Sequence, residues 1–186
     1  GNSQVPQGGE VPRDGTSVFI LNGDNVTIPA TDSTKQQLRL DIEAGGSLDL
    51  TTKTGHNFID VTGSGLLRLS SVSLPAGSYT DFSSSSGGTV EFYDVSGTLP
   101  TTQTTFNNLL FTNSTGTDQT ITVGSDLTMN GTLTTEQTGS GSLTLTVGNS
   151  TTARTLSVAG NTTIGSGTTF NVSTDNATHS ITFKGD

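Results

Sequence analysis

Residues Thr89–Phe111 read TVEFYDVSGTLPTTQTTFNNLLF, and the triplet Val90-Glu91-Phe92 returns 19 residues later as Leu109-Leu110-Phe111. Within each triplet the apolar residues alternate with a middle residue, the period of a short strand that turns one face to a core. Between the triplets lie Gly, Pro, Ser, Thr and Asn, which punctuate rather than continue an element. Upstream, the same pattern starts at Val26 (NVTI), Leu48 (GSLDL) and Leu67 (LLRL), so the spacings along Val26, Leu48, Leu67, Val90 and Leu109 are 22, 19, 23 and 19. Downstream, Leu109, Leu133, Leu156 and Ile181 are spaced 24, 23 and 25, and a second series, Ile121, Leu143 and Ile164, is spaced 22 and 21. The second series is offset by roughly half a period, so one period holds at least two strands.

Periods of this length with several short strands match the coils of a solenoid in which each coil buries its inner face on the next. The expected fold is all-β, a right-handed parallel β-helix (β-solenoid) of about 19–25 residues per coil. Strands are expected at 17–21, 25–28, 38–42, 47–51, 58–61, 66–69 and 89–95, then at 109–112, 120–123, 127–129, 143–147, 155–158, 169–172 and 180–183. No segment carries the i, i+3, i+4, i+7 pattern of a helix. Residues 1–16 read as a linker or extended cap, and 17–186 as a single solenoid domain of about eight coils, roughly 40 Å long at about 4.8 Å per coil. The alternative is an antiparallel β-sandwich, which also strings short strands between turns. Its hairpin dipeptides are scarce, since Asn-Gly occurs only at Asn22-Gly23 and Asn130-Gly131.

Composition supports the solenoid. Only 28% of the 186 residues are hydrophobic and 12% charged. So small an apolar complement suffices when each residue is buried once, inside a thin, regular rod with a polar skin. The formal net charge of −9, with seven Lys and Arg in total, argues against nucleic acid as a partner. The absence of Cys excludes disulfides, thiolate metal sites and Cys nucleophiles. No apolar run approaches the ~18 residues of a membrane-spanning helix.

Five segments carry a family resemblance: GDNVTIPA (Gly23–Ala30), AGGSLDLTT (Ala44–Thr52), GTVEFYDVSGT (Gly88–Thr98), TFNNLLFTNSTG (Thr105–Gly116) and SDLTMNGTLTT (Ser125–Thr135). In this order they resemble the β-helical repeat regions of very large secreted surface proteins of Bacteroidota, adhesin-like and gliding-related cargo of type IX secretion. The resemblance covers about residues 17–158. It implies an extracellular or cell-surface location. Implied partners are other segments of the same large protein, surface glycans or the secretion machinery. A non-enzymatic structural or adhesive role is therefore expected, with no cofactor and no metal. A carbohydrate-active β-helix enzyme or glycan-binding module is the alternative, and an ice-binding solenoid a further one. Coils that would leave sheet edges open at either end lead us to expect that the native protein continues in at least one direction.

Particular residues carry what chemistry the chain offers. Asp41 and Glu43 flank Ile42 and would point outward from one strand about 7 Å apart. Such a carboxylate pair could serve a glycosidase or a calcium ion, but beside Arg39 it reads as a solvated face. The middle residues of three successive triplets, Asp49, Arg68 and Glu91, are expected to stack as a structural charge ladder of alternating sign that favours the correct coil order. Thr120 and Thr122, Thr132 and Thr134, and Thr144 and Thr146 form outward Thr-x-Thr pairs, which suit either ordinary strands or an ice-binding face.

Asp32-Ser33-Thr34 makes Ser33 a possible O-glycosylation site. Sequons begin at Asn25, Asn113, Asn130, Asn149, Asn161, Asn171 and Asn176. His56 and His179 stand apart from any carboxylate cluster and read as turn or surface residues. The Gly-Ser runs at 83–88 and 139–142 read as turns between coils.

Overall fold

The computed structural model describes residues 15–28, 37–148, 152–173 and 177–185. The expected linker, apart from Gly15 and Thr16, lies outside them, as do Ser33, Asn149 and Asn176. Among the described residues every regular element is a strand and every strand pairing is parallel. The chain is a parallel β-solenoid, so the sandwich alternative falls away.

The longest sheet has seven strands, which at about 4.8 Å per step extend some 29 Å along the axis. These are β2 (Asn25–Thr27), β4 (Ser47–Asp49), β6 (Leu66–Leu69), β8 (Thr89–Tyr93), β11 (Asn108–Asn113), β14 (Leu133–Gln137) and β17 (Thr162–Ile164). In the first half a second face is formed by β1 (Ser17–Ile20), β3 (Gln37–Ile42), β5 (Asn57–Gly63) and β7 (Ala76–Ser78). In the second half each coil has three strands. One face holds β9 (Gly97–Thr98), β12 (Gln119–Val123), β15 (Leu143–Val147) and β18 (Thr168–Val172). The other holds β10 (Thr105–Phe106), β13 (Leu127–Met129), β16 (Thr155–Val158) and β19 (Ser180–Phe183).

The triplet register of the sequence is the register of the long sheet. Val26, Leu48, Leu67, Val90, Leu109 and Leu133 are successive lateral partners. A second inward column runs Leu69, Phe92, Phe111, Thr135, Ile164. The Phe92 and Phe111 rings stack at 5.9 Å, and Phe106 meets Phe92 edge-on at 6.4 Å. Each such side chain contributes about 2 kcal/mol by leaving water. At Thr135 the column turns polar, and that buried hydroxyl lies 2.8 Å from the Thr168 hydroxyl.

The later spacings need correction. Leu133 is followed by Thr162, not Leu156, which lies on another face between Leu127 and Ile181. Ile121 pairs with Leu145 rather than Leu143, and Ile164 belongs to the long sheet. The coil after Leu133 is longer than its predecessors, so a constant period drifts off register there.

The face that ends at β7 does not continue directly into β10. The chain between them carries a loop whose Tyr79 and Phe82 are buried, and Phe82 closes the core at the discontinuity. The loop needs glycine where it returns, because a Cβ on Gly88 would strike the Phe82 ring. Side-chain amides secure it: Gln103 donates to Ser83 Oγ at 3.0 Å, Asn130 to Ser83 O at 2.8 Å and Asn107 to Gly87 O at 2.6 Å.

Candidate functional site

The densest cluster of charged and aromatic side chains sits on the outer side of the long sheet. Strand pleating puts the middle residue of each triplet outside, and the pairings Asp49 to Arg68 and Arg68 to Glu91 align them on successive rungs. The Arg68 Nε lies 2.5 Å from Glu91 Oε2, and its Nη1 lies 3.6 Å from Asp49 Oδ2. The alternating ladder expected from Asp49, Arg68 and Glu91 is thus assembled by side-chain contact.

A fourth member was not read from the sequence. Tyr93, two residues beyond Glu91 and therefore on the same face, leans back across the ladder. Its hydroxyl donates to Asp49 at 2.9 Å, and its ring lies under the Arg68 guanidinium, 4.7 Å from Cζ to centroid. The alternation Glu91, Phe92, Tyr93 was the available signal, but nothing local indicates a reach over two rungs.

The cluster is largely closed to solvent: the side-chain exposures of Glu91, Asp49 and Arg68 are 6%, 16% and 36%. Arg68 is held further in its charged form, chiefly by its hydrogen bond to Glu91 and against the cost of burial. The Tyr93 hydroxyl is pushed up to about 12, first by burial and then by its bond to the Asp49 carboxylate. Every charged group here already has a partner within the cluster. The arrangement does the work of a coil fastener rather than presenting a free acid, base or nucleophile.

Of the expected carboxylate pair, only Asp41 lies within a strand. Asp41 is on β3, whereas Glu43 follows the strand end, with its N–H donating to Ile20 O at 2.9 Å. Arg39 is taken by Asp60 of the next rung at 2.5 Å. Phe19 of β1 is beside Asp41 and 59% exposed, an aromatic neighbour the sequence reading did not anticipate. Among the described residues no three His, Asp or Glu side chains approach as a metal site would require.

His56 is a correction: it is buried and stacks on Phe58 at 6.0 Å, nearly parallel. His179 is half-buried, its Nδ1 accepting the Arg154 N–H at 3.1 Å. Among the sequons, Asn25, Asn130, Asn161 and Asn171 are exposed. Asn113 is fully buried, with its amide nitrogen donating to Thr117 O, Gly141 O and Ser142 O.

The Thr-x-Thr pairs divide between faces. Thr120 and Thr122 sit beside Thr144 and Thr146 on the face of β12 and β15. Thr132 and Thr134 do not join them. Thr134 lies on the long sheet beside Leu110, and the Thr132 hydroxyl donates to Asn108 at 3.1 Å.

No family model matches the chain, and neither does any curated protein or solved structure.

Proposed function

We propose that this chain is a non-enzymatic structural and adhesive module of a bacterial cell-surface or extracellular filament protein, serving as a stiff spacer that holds or presents binding surfaces. One observation carries the reading: a single hydrophobic core runs from Ile20 to Val158, continuous through the change from two to three strands per coil. A rod in which one seven-stranded sheet and one core pass through that change resists bending and local opening there.

The ends support a place within a longer assembly. Val26 at one end and Ile164, Val172 and Phe183 at the other point along core columns yet are 37–43% exposed. Further coils of the same protein are the partner that fits there. Surface glycans are the ligands proposed for the adhesive role.

Force spectroscopy on tandem copies, with glycan-array binding on the same protein, tests this. A spacer gives unfolding forces well above those of helical domains, and an adhesin retains glycans without cleaving them. Low-force stepwise unravelling would overturn the spacer reading. Sugar cleavage that disappears in Asp41→Ala would overturn the non-enzymatic one in favour of a carbohydrate-active enzyme.

A further inference from the structure

The face formed by β9, β12, β15 and β18 is chemically unlike the others. Its outward side holds two columns of threonine in register, Thr98, Thr122, Thr146 and Thr120, Thr144, Thr169. The first column is continued by Asn171, and Ser96 precedes the second. Successive rungs put neighbours in a column about 4.8 Å apart, and the two-residue step sets the columns about 6.7 Å apart. The pairings carry no bulge, whereas the β3–β5 and β5–β7 pairings each contain a register shift. The result is a two-dimensional lattice of hydroxyls and methyls.

A second observation is independent of that spacing. None of those six threonine hydroxyls has a hydrogen-bond partner among the described residues. Several outward polar groups of the long sheet are, by contrast, used up internally, although the Thr112 hydroxyl on that sheet also has no partner. Asp49, Arg68, Glu91 and Tyr93 bind one another, Ser47 donates to Asn25 at 2.6 Å, and Thr132 to Asn108. A third observation concerns charge. The chain bears 16 acidic residues, yet none of the outward positions of β9, β12, β15 and β18 is charged, and none is aromatic.

We infer that this threonine face binds ice. An uncharged, rigid array of unsatisfied hydroxyls at a fixed two-dimensional repeat, with methyls between them, matches a solid whose own hydrogen-bonding sites repeat in two dimensions. Rigidity matters because the lattice then forms without further ordering of the protein. Crystalline polysaccharide is less favoured, since the face lacks the aromatic platforms that stack on sugar rings. The charged residues of the early coils do not interrupt the array. They lie on other faces, and this face begins only at β9.

The test is partition of the purified chain into slowly grown ice, with ice recrystallisation as a second readout and an inert protein of similar size as baseline. Wild type should enrich in ice. Thr122→Tyr and Thr146→Tyr, both outward and so compatible with folding, should each cut enrichment about tenfold, equivalent to about 1.4 kcal/mol. Thr134→Tyr, equally outward but on the long sheet, should enrich as wild type does. Circular dichroism and melting establish that each variant folds, and Thr122→Ser and Thr146→Ser replace any tyrosine variant that does not. Enrichment no greater than the inert protein, or equal loss in Thr134→Tyr, would overturn the inference. So would retention by crystalline cellulose or chitin that is lost in the same two variants, which would assign the face to polysaccharide.

Discussion

Replacing Arg68 by Met isolates what the charge ladder contributes. Methionine keeps an unbranched apolar stem over the Tyr93 ring while removing the only cation between Asp49 and Glu91. Glu91, with 6% side-chain exposure, is then left facing Asp49, with 16%. Removing one partner of a fully buried pair costs about 3–5 kcal/mol. The 36% exposure of Arg68 lets water screen part of this, so we expect a loss of about 2–3 kcal/mol. In a chain of this size that lowers the melting temperature by roughly 5–10 °C. The double variant Arg68→Met/Glu91→Leu removes the stranded carboxylate beside Leu110, already apolar on that row, and should recover to within about 1 kcal/mol of wild type. Urea unfolding followed by circular dichroism measures both variants, with an unchanged denaturant slope as the check that the folded state is the same. A single variant within about 0.5 kcal/mol of wild type would refute the reasoning, as would a double variant less stable than the single.

Two further outcomes follow from buried polar groups. The protein has two tyrosines and no tryptophan, so tyrosinate absorbance reads Tyr79 and Tyr93 directly. Burial raises both above the ordinary value near 10, Tyr93 to about 12. A raised hydroxyl favours the folded state fully below pH 10, and that contribution is lost as pH climbs from about 10 to 12. Absorbance should therefore lag free tyrosine and rise together with unfolding, and a titration at the ordinary value with the fold intact would contradict this. Asn113→Ala should cost about 2–3 kcal/mol by removing a buried amide whose nitrogen donates to the carbonyls of Thr117, Gly141 and Ser142 and whose oxygen accepts from the Thr115 N–H, as thermal or urea unfolding would show. Expressed in a host that glycosylates sequons, the protein should remain unmodified at Asn113, and a glycopeptide at that residue in mass spectra would count against the buried placement.

Asp49, Arg68 and Glu91 were legible in advance because two quantities sufficed. The triplet spacing set which rungs are adjacent, and the two-residue pleat set which side each residue faces. Tyr93 escaped because its bond to Asp49 crosses two rungs, and sequence spacing speaks only of neighbours. The Thr-x-Thr pairs at 120, 132 and 144 are indistinguishable in composition, yet 132 and 134 fall on a different face from the rest. That division depends on the third strand per coil, which begins at Gly97 with a two-residue element too short to announce itself. His56 looked like a turn residue among Thr, Gly and Asn, and only its stack on Phe58 shows that it faces inward.

Taken alone, then, the sequence determined the class of architecture. Apolar alternation at period two makes strands, and a return of that alternation within a coil's length stacks them in parallel, since each sparse apolar row needs the next to cover it. Only the tertiary structure decided which rows meet beyond Leu133, where Phe82 closes the core and which threonines form a lattice. The physical reason is that a local pattern encodes inside against outside, whereas lateral neighbours are set by the length of each coil. Coil length is fixed by loops such as Thr80–Gly88, whose conformation depends on Gln103, Asn107 and Asn130, contacts made by later coils.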